Sequence, residues 1–540
     1  MKKFLTLATS IIVALVLASC SGGGQKASGS REAQPVPAGD WKQPYETLVN
    51  ITAVKAETVD IVYESGDSSN NNPWTRAWKD ELGIEVTYDW VTLDQYTEKV
   101  NLAIASGNLP DVFQVNYRQF RQLLDAGLIQ DITEPYQQYT SQRIRDYEKT
   151  DPDTIKTAMK DGRLYGVPGY YYGSIDNPRF LWVRKDWYEA AGSPAIKTVA
   201  DFENLARVFM RDHGGYGLAT SNNLAELFHT GPMFDTYLPE FWYKDSTGRI
   251  KAGITHPQTK TALEYWARWY KEGILNPDFA NTDFNKMQED VVNGKTGMTP
   301  WWQFYGMVVG PSLVSVNGSD NAYMIPLPFP TVDGSQVMGQ VGFPNGTLIV
   351  VSKNCANPAA VMKLISYTDY VMFDPDTVLT DAQFRGFTEG AREGACSPFE
   401  SIDPNTDMTQ YEHVSYALKT GDTSQLFTSG MKKKYADSVA WIENRNPSGL
   451  GSYLQQGFDG SAYAQNKFLL DNGFTVKTDM WGPAPADFDQ TVNTFDSVVQ
   501  GFAKIIMGQE PLDSYDRIIA EWYKNGGQIM EDAVNRDYNR

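Results

Sequence analysis

Between residues 58 and 117 the sequence alternates strand, helix, strand, helix and strand, and that alternation limits the fold more than any other feature. Thr58 to Tyr63 reads as a strand, and a polar loop from Glu64 to Pro73 leads to a helix that starts near Trp74. Gly83 stops the helix, and Ile84-Glu85-Val86-Thr87-Tyr88 alternates as a second strand. Thr92 and Gln95 have the spacing of a capping box; Tyr96, Val100, Ala103 and Ile104 then repeat at helical spacing as far as Gly107. Val112 to Val115 is a third strand, opening onto Asn116 and Tyr117. Strands joined through helices pair in parallel, in a mainly parallel sheet covered on both faces. Ligands of such sheets bind beyond the carboxyl ends of the strands. Asp67, Asn116 and Tyr117 fall there and are candidate walls of a cleft.

The chain is far longer than one such sheet needs. Met1 to Cys20 is a processing segment, with Lys2 and Lys3 before an apolar run from Phe4 to Leu17 that is too short to span a membrane. Leu17-Ala18-Ser19-Cys20 resembles a bacterial lipobox, which implies cleavage before Cys20 and lipidation of its sulfur. A Ser/Gly-rich tether follows, and residues 21–45 are set apart from the folded part. Roughly 500 residues remain, more than one hydrophobic core usually serves, so at least two lobes are expected. The formal charge of −19 argues against nucleic acid or anionic lipid as a partner held by bulk charge. Beyond Cys20 only Cys355 and Cys396 remain, enough for one disulfide and not for a disulfide scaffold.

Gly162 to Trp187 reads as a passage between lobes. Pro168, Gly169, the tyrosines Tyr170, Tyr171 and Tyr172, and Gly173 lie between two ordinary α/β stretches, and tyrosines beside a bend suit a wet groove. A surface loop that covers an apolar patch fits these residues as well. Further on, Phe202, Leu205, Ala206 and Phe209 share one face of a helix. Ala262, Trp266, Trp269 and Tyr270 form a second stripe, on a helix from about His256 to Lys271 capped by Thr255 and Gln258, and are assigned to the core. Trp301 and Trp302 follow a short Gly-flanked strand with no helical period, which suits a cleft. Trp242 and Trp441 join them as candidates because Tyr243, Asn444 and Arg445 stand beside them. Flat rings with polar neighbours suit sugars, whose apolar C–H faces are ringed by hydroxyls.

The order of landmarks resembles the family 1 extracellular solute-binding proteins of bacterial ABC importers, in their large oligosaccharide-binding lipoprotein branch. The stretches that carry it are Ala105–Asp111, Asp161–Pro168, Leu181–Trp187, Trp269–Leu275, Asn293–Met298, Ile349–Pro358, Ile505–Gly508 and Trp522–Gly527. The resemblance implies an α/β, two-lobed periplasmic-binding-protein-like fold (type II), each lobe a mainly parallel sheet flanked by helices, joined by crossing hinge segments. The expected lobes are 46–168 with about 345–385, and 169–344 with about 386–540. The resemblance further implies a carbohydrate ligand, ABC permease subunits as partners, and a monomer held by its lipid on the extracytoplasmic face of the cell membrane. No cofactor is implied. The calcium loop of large relatives is replaced here by Arg211–Tyr216, and Lys244–Gly248 offers one carboxylate, so no metal is expected at either place.

Two other readings compete with this one, an extracytoplasmic hydrolase of esterase or glycosidase type and a surface adhesin. Gly66-Asp67-Ser68 resembles the nucleophile block of GDS-type esterases, but none of His213, His229, His256 and His413 has the aspartate three residues before it that this class uses. A carboxylate-pair glycosidase is open on spacing alone. A surface adhesin would need no hinge. Capture of a carbohydrate without chemistry is the expectation carried forward.

Overall fold

The computed structural model describes residues 39–57, 63, 65–169, 178–344, 346–374, 397–491 and 494–539. The lipobox with Cys20, Tyr171 and Tyr172, Cys396 and most of the strand expected at Thr58–Tyr63 lie outside these residues.

The strands that frame the site are β1 (Val49–Ala56), β2 (Ile84–Thr92), β3 (Val112–Val115), β4 (Gly166–Pro168) and β5 (Arg179–Arg184). They continue with β6 (Met298–Trp302), β7 (Met324–Leu327), β8 (Gly339–Val341), β9 (Leu348–Val351) and β10 (Thr475–Lys477). The strand that pairs with β2 is β1, upstream of the expected one. Its Val49, Ile51 and Ala53 turn into the core while Asn50 stays outside.

The first sheet runs β2-β1-β3-β9-β4. β1 is parallel to β2 and β3, as the alternation demands, whereas β9 is antiparallel to β3 and β4. β9 enters from the second lobe and so runs the opposite way. The second lobe departs from the expected parallel sheet: β6-β5-β7 is antiparallel at both pairings. A parallel pair there is the short ribbon of β8 and β10.

The buried apolar residues gather in two sets of cores. One gathers apolar residues from 45–167 and 348–371 with Phe399, and the other set draws on 180–341 and 441–534. Phe399 packs edge-on against Trp78 at 5.2 Å, so residue 399 belongs with the first core, whereas the sequence reading places it in the second lobe. Gly83 ends the helix Pro73–Leu82 with φ 67°, and a Cβ there would stand 2.6 Å from the Tyr45 carbonyl oxygen. Trp266 and Trp269 are buried on the helix Gln258–Lys271. Neither proposed cap forms: Thr92 is the last residue of β2, Gln95 and Pro257 make no side-chain cap, and the Thr255 hydroxyl donates to the Ala252 carbonyl.

Three stretches of chain meet where the lobes join. The Gly169 amide donates to the Thr347 carbonyl at 2.8 Å, and the Ile402 amide donates to the Gly169 carbonyl at 3.2 Å. The Ser401 hydroxyl donates to the Pro168 carbonyl at 2.9 Å. A Cβ on residue 169 would lie 3.1 Å from the Thr347 hydroxyl oxygen, so this crossing is packed to fit glycine.

Candidate functional site

Residues from both lobes meet along the seam. Asn116 caps the helix Tyr117–Asp125 by accepting from the Gln119 amide, and the cap fixes where Tyr117 begins. The Thr157 hydroxyl donates to the Tyr117 hydroxyl at 3.1 Å, and the ring of Tyr117 meets Phe343 at 5.3 Å. Burial pushes the Tyr117 phenol up to about 12. Phe343, in the return from β8 to β9, stands edge-on to Trp481 at 5.6 Å. The Trp481 indole N–H donates to the Thr154 hydroxyl at 3.3 Å, and the Lys477 ammonium lies 3.6 Å from the centre of the Trp481 ring. Lys477 also approaches the buried Asp151 at 3.9 Å. Half-buried rings from the first lobe, the crossing and the second lobe thus stand in one row.

A second group is organised by strand register. β5 and β6 pair so that Arg179 faces Trp302 and Phe180 faces Trp301. The Arg179 guanidinium lies 3.6 Å from the centre of the Trp302 ring, and its Nη1 donates to the Gln340 carbonyl at 3.4 Å. Gln340 is in β8, and the next residue, Val341, is the register partner of Lys477. The Arg179–Trp302 pair and the Lys477–Trp481 pair are therefore held by neighbouring positions of one ribbon. Trp301 packs against Phe284 at 4.8 Å and His229 at 5.2 Å. His229 Nδ1 is 3.3 Å from the Pro300 carbonyl; that bond assigns the proton to Nδ1 and leaves Nε2 as an acceptor. Burial, then the Arg179 charge, hold the imidazole well below its usual range, so it is neutral.

Two cavities in the second lobe share His229 and Leu238. The larger, about 490 Å³, has the more polar wall of the two, with Asn222, Asn223, Glu240, Asp496 and Gln500 beside apolar residues such as Phe228 and Leu238. The other, about 330 Å³, is mostly apolar and contains Arg179. Both fall in the size range of small-molecule sites.

The remaining candidates separate. Asp67 is bound by both of its oxygens to Arg76, at 2.8 and 3.2 Å, which neutralises its charge. Trp301 and Trp302 are half-buried. Trp242 and Trp441 are corrected: each is at most 1 % exposed and stands in a hydrophobic core, so neither ring can reach a ligand. Trp242 packs on Phe488 at 5.6 Å, and its amide donates to the Thr478 hydroxyl. Sequence reasoning missed Arg179, His229, Phe343 and Trp481. Phe343 and Arg179 each adjoin an expected crossing, which is a usable signal; nothing local marks His229 or Trp481.

Comparison with known proteins bears on this geometry. Residues 66–368 match the family model described as bacterial extracellular solute-binding protein. The chain is 22% identical over 505 residues to lipoprotein LipO of Bacillus subtilis (strain 168), covering 87% of this chain and 89% of that one. It is 23% identical over 301 residues to the polygalacturonan/rhamnogalacturonan-binding protein YtcQ of the same organism, covering 53% of this chain and 57% of that one. Among solved structures, an HMO-binding, ABC-transporter-associated solute-binding protein from Bifidobacterium longum infantis ATCC 15697 superposes with a TM-score of 0.61. It is 14% identical and covers 91% of this chain and 99% of that one, and so shows the two-lobed fold.

Proposed function

The chain belongs to the bacterial extracellular solute-binding proteins, and on that premise we propose that it captures an oligosaccharide and delivers it to the permease of an ABC transporter, without chemistry of its own. The observation that carries the reading is the Tyr117–Phe343–Trp481 row, in which both lobes contribute rings at one seam. Rings that meet only where lobes join can close on the C–H face of a sugar, while the larger cavity offers amides and carboxylates to its hydroxyls. The sugars named for YtcQ support this ligand class. The mature protein acts as a monomer, held by a lipid on Cys20 at the extracytoplasmic face of the membrane.

The histidines support binding over hydrolysis. His213 stacks on Trp187 at 3.9 Å, His229 faces the Pro300 carbonyl, His256 packs on Tyr243, and His413 bonds Gln425. Each has a structural partner, and Asp67, beside the esterase-like Ser68, is tied to Arg76.

The test is a thermal-shift panel of neutral and acidic oligosaccharides, with recovery of the sugar afterwards. A true ligand at 100 times its Kd should add about 2.7 kcal/mol and be recovered intact. Trp302→Ala should weaken that ligand about 30-fold, near 2 kcal/mol, with the unliganded melting curve little changed. No stabilising sugar in the panel, or a shortened one on recovery, would sink the reading.

A further inference from the structure

We propose that Arg179 binds the carboxylate of an acidic sugar residue, making the apolar cavity of the second lobe a uronate subsite; this rests on the oligosaccharide reading above. A cation in an apolar wall is costly unless it is paired and hydrogen-bonded. Phe180, Leu238, Phe329 and Phe468 share the cavity wall with Arg179. Its hydrogen bond among the described residues is the long one from Nη1 to the Gln340 carbonyl. Nε is sealed from solvent with no acceptor among the described residues. No carboxylate forms an ion pair with it among the described residues: Glu240 acts only from a distance, and His229 is neutral. Arg184, on the same strand, is buried in the ordinary way, with Asp186 at 2.7 Å. Burial pushes Arg179 down to about 10, so the group remains charged at neutral pH.

The orientation says what would complete the site. One face of the guanidinium is spent on Trp302 and one Nη1 hydrogen on Gln340, which leaves the remaining Nη N–H groups, in the same plane, for a planar carboxylate. The apolar wall suits the C–H face of a pyranose. A chain with a formal charge of −19 gains nothing from bulk charge when it binds an anion, so an arginine with no ion pair among the described residues carries that selectivity.

The experiment is calorimetric titration of the full chain with trigalacturonate and with the neutral galactose trimer of the same linkage. Wild type should bind the acidic trimer at least about 30-fold more tightly. Arg179→Met should abolish that preference, and Arg179→Lys should keep part of it. Equal binding of the two trimers, or a preference that survives in Arg179→Met, overturns the proposal. Binding of the neutral trimer alone leaves the oligosaccharide reading standing and removes this one; failure of the whole sugar panel removes both. Should Arg179→Met not fold, the salt dependence of wild type decides. A Kd that rises with NaCl for trigalacturonate only is expected, and equal dependence for both trimers overturns the proposal.

Discussion

Replacing Trp441 by alanine should lower stability by about 3–5 kcal/mol, the range for deleting a large buried ring, and leave the sugar affinity of the folded protein unchanged. Trp441 is fully buried among Val314, Tyr323, Leu450 and Leu454. Tyr323 meets it edge-on at 5.6 Å, and the Arg445 guanidinium lies 5.4 Å from its ring centre. The helix Ser429–Asn444 that carries it packs on Leu450–Gln456, so the hole would open between helices that cannot close independently. The indole N–H has no acceptor among the described residues, so the ring is held by its volume and contacts rather than by a bond another side chain could replace. Urea unfolding gives the loss, and titration of the folded variant gives the affinity. A small stability loss with a large affinity loss would put Trp441 in the cleft after all.

That contrast shows where the sequence stops being legible. Periodicity identified helices and their buried faces: Phe202, Leu205, Ala206 and Phe209 are buried, as are Trp266 and Trp269. Helical spacing reports burial directly, because one face must meet the core. The apolar run from Thr347 to Ser352 reads equally well as a buried strand, and Leu348–Val351 forms one. The two-lobed α/β fold follows from such elements and from length. The site does not, because its parts are joined by register and by contacts remote in sequence. Trp242 and Trp302 have similar aromatic and polar neighbours in the chain. One is sealed by Thr478 and Phe488, while the other is half-buried beneath Arg179. Arg179 reads as an ordinary basic residue before a strand until β6 pairs with β5 and sets Trp302 beside it. Aromatic clustering therefore finds rings but cannot sort packed from accessible ones.

Glu400 should make the fold lose roughly 3 kcal/mol as pH rises from 4.5 to 8. It stands at the meeting of the three crossing stretches, where its carbonyl oxygen would lie 3.5 Å from a Cβ on Gly169. Burial alone pushes its carboxyl up to about 7, from 4.5. The folded state therefore keeps a proton that the unfolded chain releases near pH 4.5. The contribution is complete below that pH and disappears as pH rises through 7, which is opposite to a carboxylate held low by a cation, such as Glu203 with Arg268 and Trp269. Asp369, pushed up to about 6 by burial, adds a drift of the same sign, opposed by Arg143 at 3.3 Å. The difference between Glu400→Gln and wild type isolates the one group. Their stabilities, from urea unfolding at several pH values, should diverge by roughly 3 kcal/mol in favour of Gln between pH 4.5 and 8. Parallel curves would mean that the carboxyl is solvated and the crossing open to water. The same charge bears on function, because ionising Glu400 adds a negative charge, with no ion-pair partner among the described residues, where the crossing stretches meet. Above pH 7 the crossing should be looser in wild type than in Glu400→Gln, with faster amide exchange at Gly169 and Ile402, whose hydrogen bonds tie the stretches together.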